Sequence, residues 1–261
     1  MNADPIIQLD HVQKRFGSRA VLDDFSLAIH PGETVVILGG SGTGKSVALK
    51  LILGLLAADA GLVTFRGADI HRMDEAQLRA MRREIGMLFQ GGALFDSMTV
   101  YENVAYPLRE HYQHPEAKVQ EIVAHCLELI GLPGIETMAP AELSGGMRKR
   151  VALARAIATN PAVILYDEPT TGLDPANTRR ISLLIRKLQQ QLHVTSIVVT
   201  HDMASAFTVA DRVALLYNRR LEFVGTVDAA RASANPVVQN FIRGDLGEED
   251  KVMATREMRH A

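Results

Sequence analysis

Apolar positions along this chain follow two periodicities, an alternating one typical of strands and a three-to-four-residue one typical of helices. The segment Thr34–Leu38 is rich in β-branched residues and does not alternate, which indicates a strand buried on both faces. Further strand patterns fall at residues 6–12, 21–29, 61–65, 85–89, 163–166, 195–199 and 212–217. Helix patterns fall at residues 45–56, 74–83, 100–109, 115–130, 145–158 and 175–191.

The uneven distribution of the two patterns predicts how the chain is organised. Strand and helix patterns alternate up to about residue 90 and again from about residue 159, whereas residues 91–158 are almost wholly helical. This order predicts an α/β core of residues 1–90 and 159–243, interrupted by an inserted α-helical subdomain at residues 91–158. Residues 244–261 are polar and charged, so we expect a frayed tail there, with docking onto a partner as the alternative.

Composition narrows the class of protein. With 261 residues the chain is long enough for one α/β core with an insertion. A formal net charge of -2 gives no electrostatic reason to expect nucleic acid as a partner. The single cysteine, Cys126, fits a reducing compartment, and its apolar neighbours predict a buried side chain. The N-terminus lacks a signal-peptide pattern and no segment is apolar enough to span a membrane, so we expect a soluble, cytoplasmic protein.

A glycine-rich segment after the strand Thr34–Leu38 matches the pattern G-x-x-x-x-G-K-[ST]. Its glycines let the backbone turn so that successive N–H groups point at phosphate oxygens, and the following helix adds the positive end of its dipole. Lys45 can reach the terminal phosphates, and the Ser46 hydroxyl can bind Mg²⁺. The pattern predicts a nucleoside triphosphate site; a glycine-rich turn without a ligand is the alternative. The segment consists of Gly39, Gly40, Ser41, Gly42, Thr43, Gly44, Lys45 and Ser46.

Two adjacent acids follow the apolar strand at residues 163–166. We expect Asp167 at the carboxyl edge of the sheet, near the glycine-rich loop, where it can hold Mg²⁺ through water. Glu168 is then free to polarise the attacking water. Strands often end in solvated acids, so this pair is informative only together with the loop. A kinase is disfavoured because no phosphoacceptor pocket is recognisable, and a GTPase because the base-reading motif Asn-Lys-x-Asp does not occur.

A second phosphate-binding helix N-terminus is predicted within the helical insertion. Ser144 can cap the helix that follows it, and Gly145 and Gly146 leave the first N–H groups exposed. Because the glycine-rich loop already covers one side of a nucleotide, this second surface makes most sense if it closes over the nucleotide of another copy. Two chains facing head to tail then bury two nucleotides; a plain capped helix is the alternative. The basic residues 148–150 are interpreted as a solvated face or a dimer contact.

Taken in order, these motifs resemble the nucleotide-binding domain of ABC transporters over residues 6–243. The resemblance implies a P-loop NTPase fold with a mixed, RecA-like sheet, an antiparallel β subdomain and an inserted helical subdomain. It implies hydrolysis of ATP with Mg²⁺. A regulatory module that binds ATP without hydrolysing it is disfavoured, because Glu168 and His201 are present. The catalytic residues it implies are Lys45, Glu168 and His201, and the metal-binding residues are Ser46, Gln90 and Asp167. The other nucleotide contacts it implies are Phe16 on the adenine, residues 39–46, Val47, Gln90, Ser144, Gly145, Gly146 and Asp174.

Three segments, at residues 88–97, 100–108 and 143–147, make the chain similar to the ATPases of the MCE-associated lipid transporters, the Mla systems. This resemblance implies a homodimer beneath integral-membrane permease subunits, with an MCE-domain protein and a STAS-domain protein as further partners. The chain is then expected at the cytoplasmic side of the inner membrane as a peripheral subunit. It would power phospholipid transport between inner and outer membranes without binding the lipid directly. An ABC ATPase for an amino acid, a metal or a drug is the alternative.

The stretch at residues 90–108 joins the core to the helical insertion and is rich in apolar and aromatic side chains. Leu94, Phe95, Tyr101 and Tyr106 are the examples that define a candidate groove for a cytoplasmic helix of a membrane subunit. The alternative is that these side chains belong to the internal core of the insertion.

Overall fold

A computed structural model describes residues 4–244 of the chain. No helix within this range combines the length and the apolar character needed to cross a membrane. The charged tail predicted at residues 244–261 lies outside the described residues, apart from Gly244, which ends the last helix.

The larger sheet has six strands in the order β10-β9-β3-β8-β7-β6. β10 runs antiparallel to β9, whereas all other neighbours are parallel. The carboxyl ends of β3, β6, β7 and β8 therefore share one edge, which is where open α/β sheets bind ligands. The strands are β3 (Thr34–Leu38), β6 (Ile85–Leu88), β7 (Val163–Asp167), β8 (Thr195–Thr200), β9 (Arg212–Tyr217) and β10 (Arg220–Thr226).

The smaller sheet is antiparallel, with the order β2-β1-β4-β5. Its strands are β1 (Ile7–Phe16), β2 (Arg19–Ile29), β4 (Ala60–Phe65) and β5 (Ala68–Asp69). The pairing of β1 with β2 shifts between Leu9 and Val12, and His11 in this bulge has φ 48°. The bulge breaks the apolar alternation, so the strand predicted to stop at residue 12 continues to Phe16.

Helices cover the larger sheet, and three of them, α3, α4 and α5, follow one another between β6 and β7. The predicted fold class is confirmed: an α/β core with a mixed sheet, an antiparallel sheet and an insertion of helices. The helices are α1 (Lys45–Ile52), α2 (Glu75–Arg83), α3 (Val100–His111), α4 (Glu116–Leu129), α5 (Gly145–Ile157), α6 (Pro175–Leu192), α7 (Met203–Val209), α8 (Val227–Arg231) and α9 (Pro236–Arg243).

Successive residues of the large sheet enter two different apolar cores, as the pleat of a strand requires. One core receives Val36 and Tyr166 from the sheet and Val104 from α3. The other receives Val35 and Leu165 and is completed by the smaller sheet and α1. The helical insertion therefore shares an apolar core with one face of the larger sheet, and is not attached by a linker alone.

Some elements differ from the sequence-based expectation. The first helix ends at Ile52 rather than at residue 56, because Gly54 adopts a left-handed φ of 63°. β5, α7, β10, α8 and α9 were not predicted. Three of these helices have only seven, five and eight residues, which is too few turns for an apolar period to be recognised.

Candidate nucleotide-binding site

A cavity of about 530 Å³ opens at the shared carboxyl edge of β3, β6, β7 and β8. β3 leads into the glycine-rich loop, β7 into Glu168 and β8 into His201, so three separate loops meet there. A concave site with a few convergent polar groups is the usual form of a small-molecule site. Its lining residues are Phe16, Arg19, Val21, Ser41, Gly42, Gly44, Lys45, Ser46, Val47, Gln90, Glu168 and His201.

The glycines of the loop are required by its conformation. Gly42 and Gly44 have φ values of 74° and 110°, a region that residues with a Cβ rarely adopt. A Cβ on Gly44 would also lie 2.8 Å from Cγ1 of Val21 on β2. On the other side of the loop, a Cβ on Gly39 would lie 2.7 Å from the carbonyl oxygen of Leu216. The loop is thus held tightly between the two sheets.

Lys45 is 5% exposed, and its ammonium group is held by the loop itself. Lys45 Nζ donates to the carbonyl oxygens of Gly39 and Gly40, at 2.9 Å each, and lies 3.4 Å from Glu168 Oε1. Thr43 Oγ1 also donates to the Gly40 carbonyl, at 2.9 Å. The positive charge is therefore placed at the centre of the loop, where terminal phosphates would be bound.

Ser46 and Asp167 supply a pair of oxygen atoms at the opening of α1. Ser46 Oγ donates to Asp167 Oδ1 at 2.8 Å, although 121 residues separate them in the chain. A hydroxyl and a carboxylate oxygen this close together fit Mg²⁺, which prefers oxygen ligands and keeps several of its waters. These two residues would hold the ion beside the phosphates.

The carboxylate of Glu168 lies between the side chains of Lys45 and His201. Its Oε2 is 3.0 Å from His201 Nδ1 and accepts a hydrogen bond from Thr171 Oγ1 at 3.2 Å. Burial raises the pKa of Glu168, but the hydrogen bond to His201 and the charge of Lys45 outweigh burial, so the net pKa is below its ordinary value. The carboxylate is therefore ionised at neutral pH. Its backbone has φ 48°, a conformation that costs energy outside glycine and is often found at functional sites.

Phe16 lies at the far end of the cavity, where the β1–β2 hairpin ends. Its ring is 49% exposed, with Lys14 Nζ 5.5 Å from the ring centroid. Arg19 pairs with Phe16 across the hairpin and lines the cavity beside it, as does Val21. Sequence analysis missed Arg19 and Val21, because only the register of the hairpin brings them to the phosphate-binding loop.

Gln90 lines the cavity where β6 leads towards the helical insertion. Its backbone carbonyl accepts a hydrogen bond from Lys149 Nζ. Lys149 is 6% exposed, which corrects the interpretation of residues 148–150 as a solvated face or dimer contact. Burial lowers the pKa of Lys149, and the charges of Asp167 and Glu168 oppose that effect. Only Arg148 of this basic run is exposed.

Ser144, Gly145, Gly146 and Asp174 do not line the cavity; among the described residues they form a separate surface. Ser144 Oγ caps α5 by accepting from Met147 N at 3.3 Å, and Asp174 caps α6 by accepting from the backbone N–H of residue 177 at 2.9 Å. The two helix starts touch, since a Cβ on Gly146 would lie 2.8 Å from the side chain of residue 177. The predicted second phosphate-binding helix start is therefore separate from the cavity within one chain.

The aromatic stretch at residues 90–108 divides between surface and core. Phe95 and Tyr106 are exposed and their rings lie 4.9 Å apart, whereas Leu94 and Tyr101 pack against the core. The exposed pair lines a second cavity, of about 420 Å³. Its rim is basic and includes Arg82, Arg83 and Arg155.

Comparison with known proteins gives the family. The model described as "ABC transporter" matches residues 22–171. The chain is 43% identical over 238 residues to the "Probable ribonucleotide transport ATP-binding protein mkl" of Mycobacterium tuberculosis, a match that covers 91% of this chain but only 66% of the relative. It is 40% identical over 240 residues to the "Intermembrane phospholipid transport system ATP-binding protein MlaF" of Haemophilus influenzae, covering 92% of this chain and 91% of the relative. The same identity holds over 239 residues of the Escherichia coli MlaF.

Solved structures agree with this result. A dimeric ATP-binding cassette in a post-hydrolysis state with ADP and Pi has a TM-score of 0.77 at 33% identity, covering 85% of this chain and 98% of its own. The cbiO1 protein of Clostridium perfringens, part of an ABC transporter complex, has a TM-score of 0.82 at 27% identity, covering 97% of this chain and all of its own. With a family model matched over more than half its length and relatives matched over nine tenths of it, the chain belongs to the ABC transporter family of ATPases.

Proposed function

We propose that this chain is the ATP-hydrolysing subunit of a transporter that moves phospholipid between the inner and outer membranes. One observation carries the hydrolytic part of the proposal. Glu168 lies between Lys45 and His201 in the cavity: its Oε1 is 3.4 Å from Lys45 Nζ, and its Oε2 is 3.0 Å from His201 Nδ1. A cation, a carboxylate and an imidazole arranged in this way suit phosphoryl transfer to water.

Each group has a role in that reaction. Phe16 stacks on adenine and residues 39–46, with Val47, surround the phosphates. Lys45 neutralises charge on the terminal phosphate, Glu168 orients the attacking water, and His201 donates a hydrogen bond to the phosphate that is transferred. When Mg²⁺ is bound by Ser46 and Asp167, with Gln90 nearby, it supplies further charge neutralisation at the phosphates.

The second phosphate-binding surface acts on another copy of the chain. Ser144, Gly145 and Gly146 do not line the chain's own cavity, and in this proposal they close over the ATP of a partner in a head-to-tail homodimer, with Asp174 at the same interface. The dimeric cassette with ADP and Pi, at 33% identity, supports a paired arrangement.

A permease helix occupies the groove that contains Phe95 and Tyr106. An exposed aromatic pair beside a basic rim suits a short amphipathic helix with an acidic end. The subunit then acts as a peripheral protein at the cytoplasmic side of the inner membrane, beneath the permease. An MCE-domain protein and a STAS-domain protein complete the assembly, and no nucleic acid takes part.

The names of the relatives suggest two different cargoes. The mycobacterial relatives are named for ribonucleotide transport, but this chain covers only 66–69% of their length. The MlaF proteins are named for phospholipid transport, and the chain covers 91% of the one from Haemophilus influenzae. We favour phospholipid because that match extends over nearly all of both chains. Cargo such as an amino acid, a metal or a drug is the broader alternative.

The proposal is tested by purifying the tagged chain from detergent-solubilised membranes and identifying the proteins and lipids that accompany it by mass spectrometry. We expect a permease, an MCE-domain protein and phospholipid. A different type of permease would overturn the phospholipid assignment and leave the ATPase intact.

A matched pair of variants tests the groove in the same experiment. Tyr106→Ala removes an exposed ring inside the groove, so we expect less permease to copurify. Tyr112→Ala removes an exposed ring just after the same helix, outside the groove, and serves as the control. Equal recovery of permease with both variants would place the docking surface elsewhere.

A further inference from the structure

Helix α5, which Ser144 caps and which is here called the signature helix, directs basic side chains inward, towards main-chain carbonyl groups of other segments. Arg150 contacts the carbonyl oxygens of Ile130 and Gly131 at 3.4 and 3.3 Å. Arg155 donates to the carbonyl oxygens of Gly92 and Ala93, at 3.0 and 2.8 Å. Lys149 is the most deeply buried of the three, and its contacts lie at the catalytic edge of the sheet.

The ammonium group of Lys149 joins two loops that the hydrolytic reaction needs. It donates to the carbonyl oxygen of Gln90 and lies 3.5 Å from the carbonyl oxygen of Glu168. Among the described residues its direct partners are these two carbonyl oxygens rather than a carboxylate at ion-pair distance, and the charges of Asp167 and Glu168 act on it from further away. A buried ammonium group without a carboxylate partner is costly to desolvate, which makes this position a poor choice for packing alone.

The Glu168 contact falls on a strained peptide. Glu168 has φ 48°, and its carbonyl oxygen also accepts from the backbone N–H of Thr171 at 3.3 Å. A strained backbone persists only when its surroundings hold it. Lys149 is one of the two groups placed to hold the carbonyl of this residue, while the Glu168 side chain extends into the nucleotide cavity.

The contact of Lys149 with Gln90 is one of several that α5 makes with residues 90–93. Together, Lys149 and Arg155 bind the carbonyl oxygens of residues 90, 92 and 93. Residues Phe89 and Ala93 of this segment line the groove, and Gln90 lines the nucleotide cavity. The signature helix thus holds a segment that faces both cavities, and Lys149 is the point at which this segment meets Glu168.

We propose that Lys149 is a positioning residue for ATP hydrolysis. Its ammonium group fixes the Gln90 and Glu168 main chains against the signature helix, so that the two side chains reach their working positions together. This inference rests on the proposed role of Glu168. It concerns the rate of hydrolysis rather than ATP binding, because Lys149 does not line the nucleotide cavity.

The test replaces Lys149 with methionine, which has a similar length but no donor, and measures steady-state ATP hydrolysis by the full chain. We expect kcat to fall between about tenfold and a hundredfold, because a catalytic group misplaced by about an ångström loses that much rate. The KM for ATP should stay within about twofold, since the phosphate-binding loop is untouched. Lys149→Gln restores one amide donor and should recover part of kcat.

The control is Lys118→Met, on α4 of the same helical insertion, where the lysine is exposed and its side chain bonds, among residues 4–244, only to Glu121. Its kcat should equal that of the parent. A folded Lys149→Met protein with kcat within twofold of the parent would overturn the proposal, as would a loss that appears only in KM. If Lys149→Met does not fold, Lys149→Gln carries the test with its own criterion: a kcat below that of the parent with KM unchanged supports the proposal, and a kcat equal to that of the parent overturns it. Glu168→Gln is measured alongside: if it retains turnover, the proposed role of Glu168 fails first.

Discussion

The two proposed phosphate-binding surfaces of this chain differ in how far the chain itself completes them. In the core, Lys45 is enclosed by two loop carbonyls and Glu168, and Ser46 is bonded to Asp167. At the start of α5, by contrast, Ser144 and Gly145 are exposed, and the capping bond to Met147 is the only hydrogen bond that the Ser144 side chain makes within residues 4–244.

This difference explains how one chain can hold two such surfaces. The core surface is a pre-formed cradle with its charges balanced by neighbours, so it can bind a triphosphate with little rearrangement. The α5 surface offers helix N–H groups and an exposed Ser144, so it suits a nucleotide that is already held on its other side. The comparison supports the proposal that the core carries out hydrolysis and that a second copy completes the site.

The largest effect is expected from Glu168→Gln, which tests the core surface. The amide keeps the shape of the side chain but cannot polarise water, so kcat should fall by about 10²–10⁴-fold. Binding of ATP should persist, because Lys45 and the loop remain. Steady-state hydrolysis and binding of a fluorescent ATP analogue measure the two properties separately. Turnover within tenfold of the parent would remove Glu168 from its assigned role.

The variant Gly86→Ala tests whether α5, which carries the second surface, packs tightly against β6 of the core. A Cβ on Gly86, in β6, would lie 2.4 Å from the carbonyl oxygen of Ala156 at the end of α5. Gly86→Ala should therefore lower the free energy of unfolding by about 1–3 kcal/mol, the usual cost of overpacking. Urea denaturation measures it. Gly91→Ala is the control, since no atom lies within 4 Å of its added Cβ. Equal stability of the two variants would show that α5 and β6 are not packed this closely.

A smaller effect is expected at the adenine end of the core surface. Phe16→Ala removes a ring that is already half exposed, so the affinity for ATP should weaken by about 1 kcal/mol, at the low end for stacking on a base. Isothermal titration calorimetry measures the change, and Phe16→Tyr should retain the parental affinity. If alanine and tyrosine bind ATP equally well, the base does not stack at this position.

The smallest effect is expected for the reactivity of the Cys126 thiol, in α4 of the helical insertion. Burial raises the pKa of the Cys126 thiol to about 12, so very little reactive thiolate is present at pH 8. We expect no reaction with a disulfide reagent in the native chain and one thiol per chain after unfolding. Rapid labelling of the native chain would mean that α4 opens while the larger sheet, which shares its apolar core, stays folded.

Sequence reasoning worked where chemistry is local in the chain. The glycine-rich loop and the acids at the end of β7 were recognisable from their place at the end of a strongly apolar strand, because parallel strands bring their carboxyl ends to one edge. His201 was identified through the resemblance to the family. The fold class followed from the same alternation of strands and helices. The helical insertion was visible as a long stretch without strand periodicity.

It failed where a side chain's role depends on distant partners. Lys149 stands between two arginines and has the sequence character of a solvated face, yet it is buried because its carbonyl partners lie 59 and 19 residues away. Arg19 and Val21 reach the cavity only through the register of a hairpin that contains a bulge. Neither a bulge nor a long-range carbonyl contact leaves a periodic signal in the chain.

The central claim, that one working site needs two chains, is tested most directly by mixing two inactive variants. Lys45→Ala damages the core surface, and Ser144→Arg blocks the α5 surface. In a mixed dimer, the intact core surface of one chain faces the intact α5 surface of the other. With random pairing in an equal mixture, about a quarter of the parental ATPase activity should return. No recovery, in a mixture whose differently tagged chains copurify, would contradict a site shared between two copies.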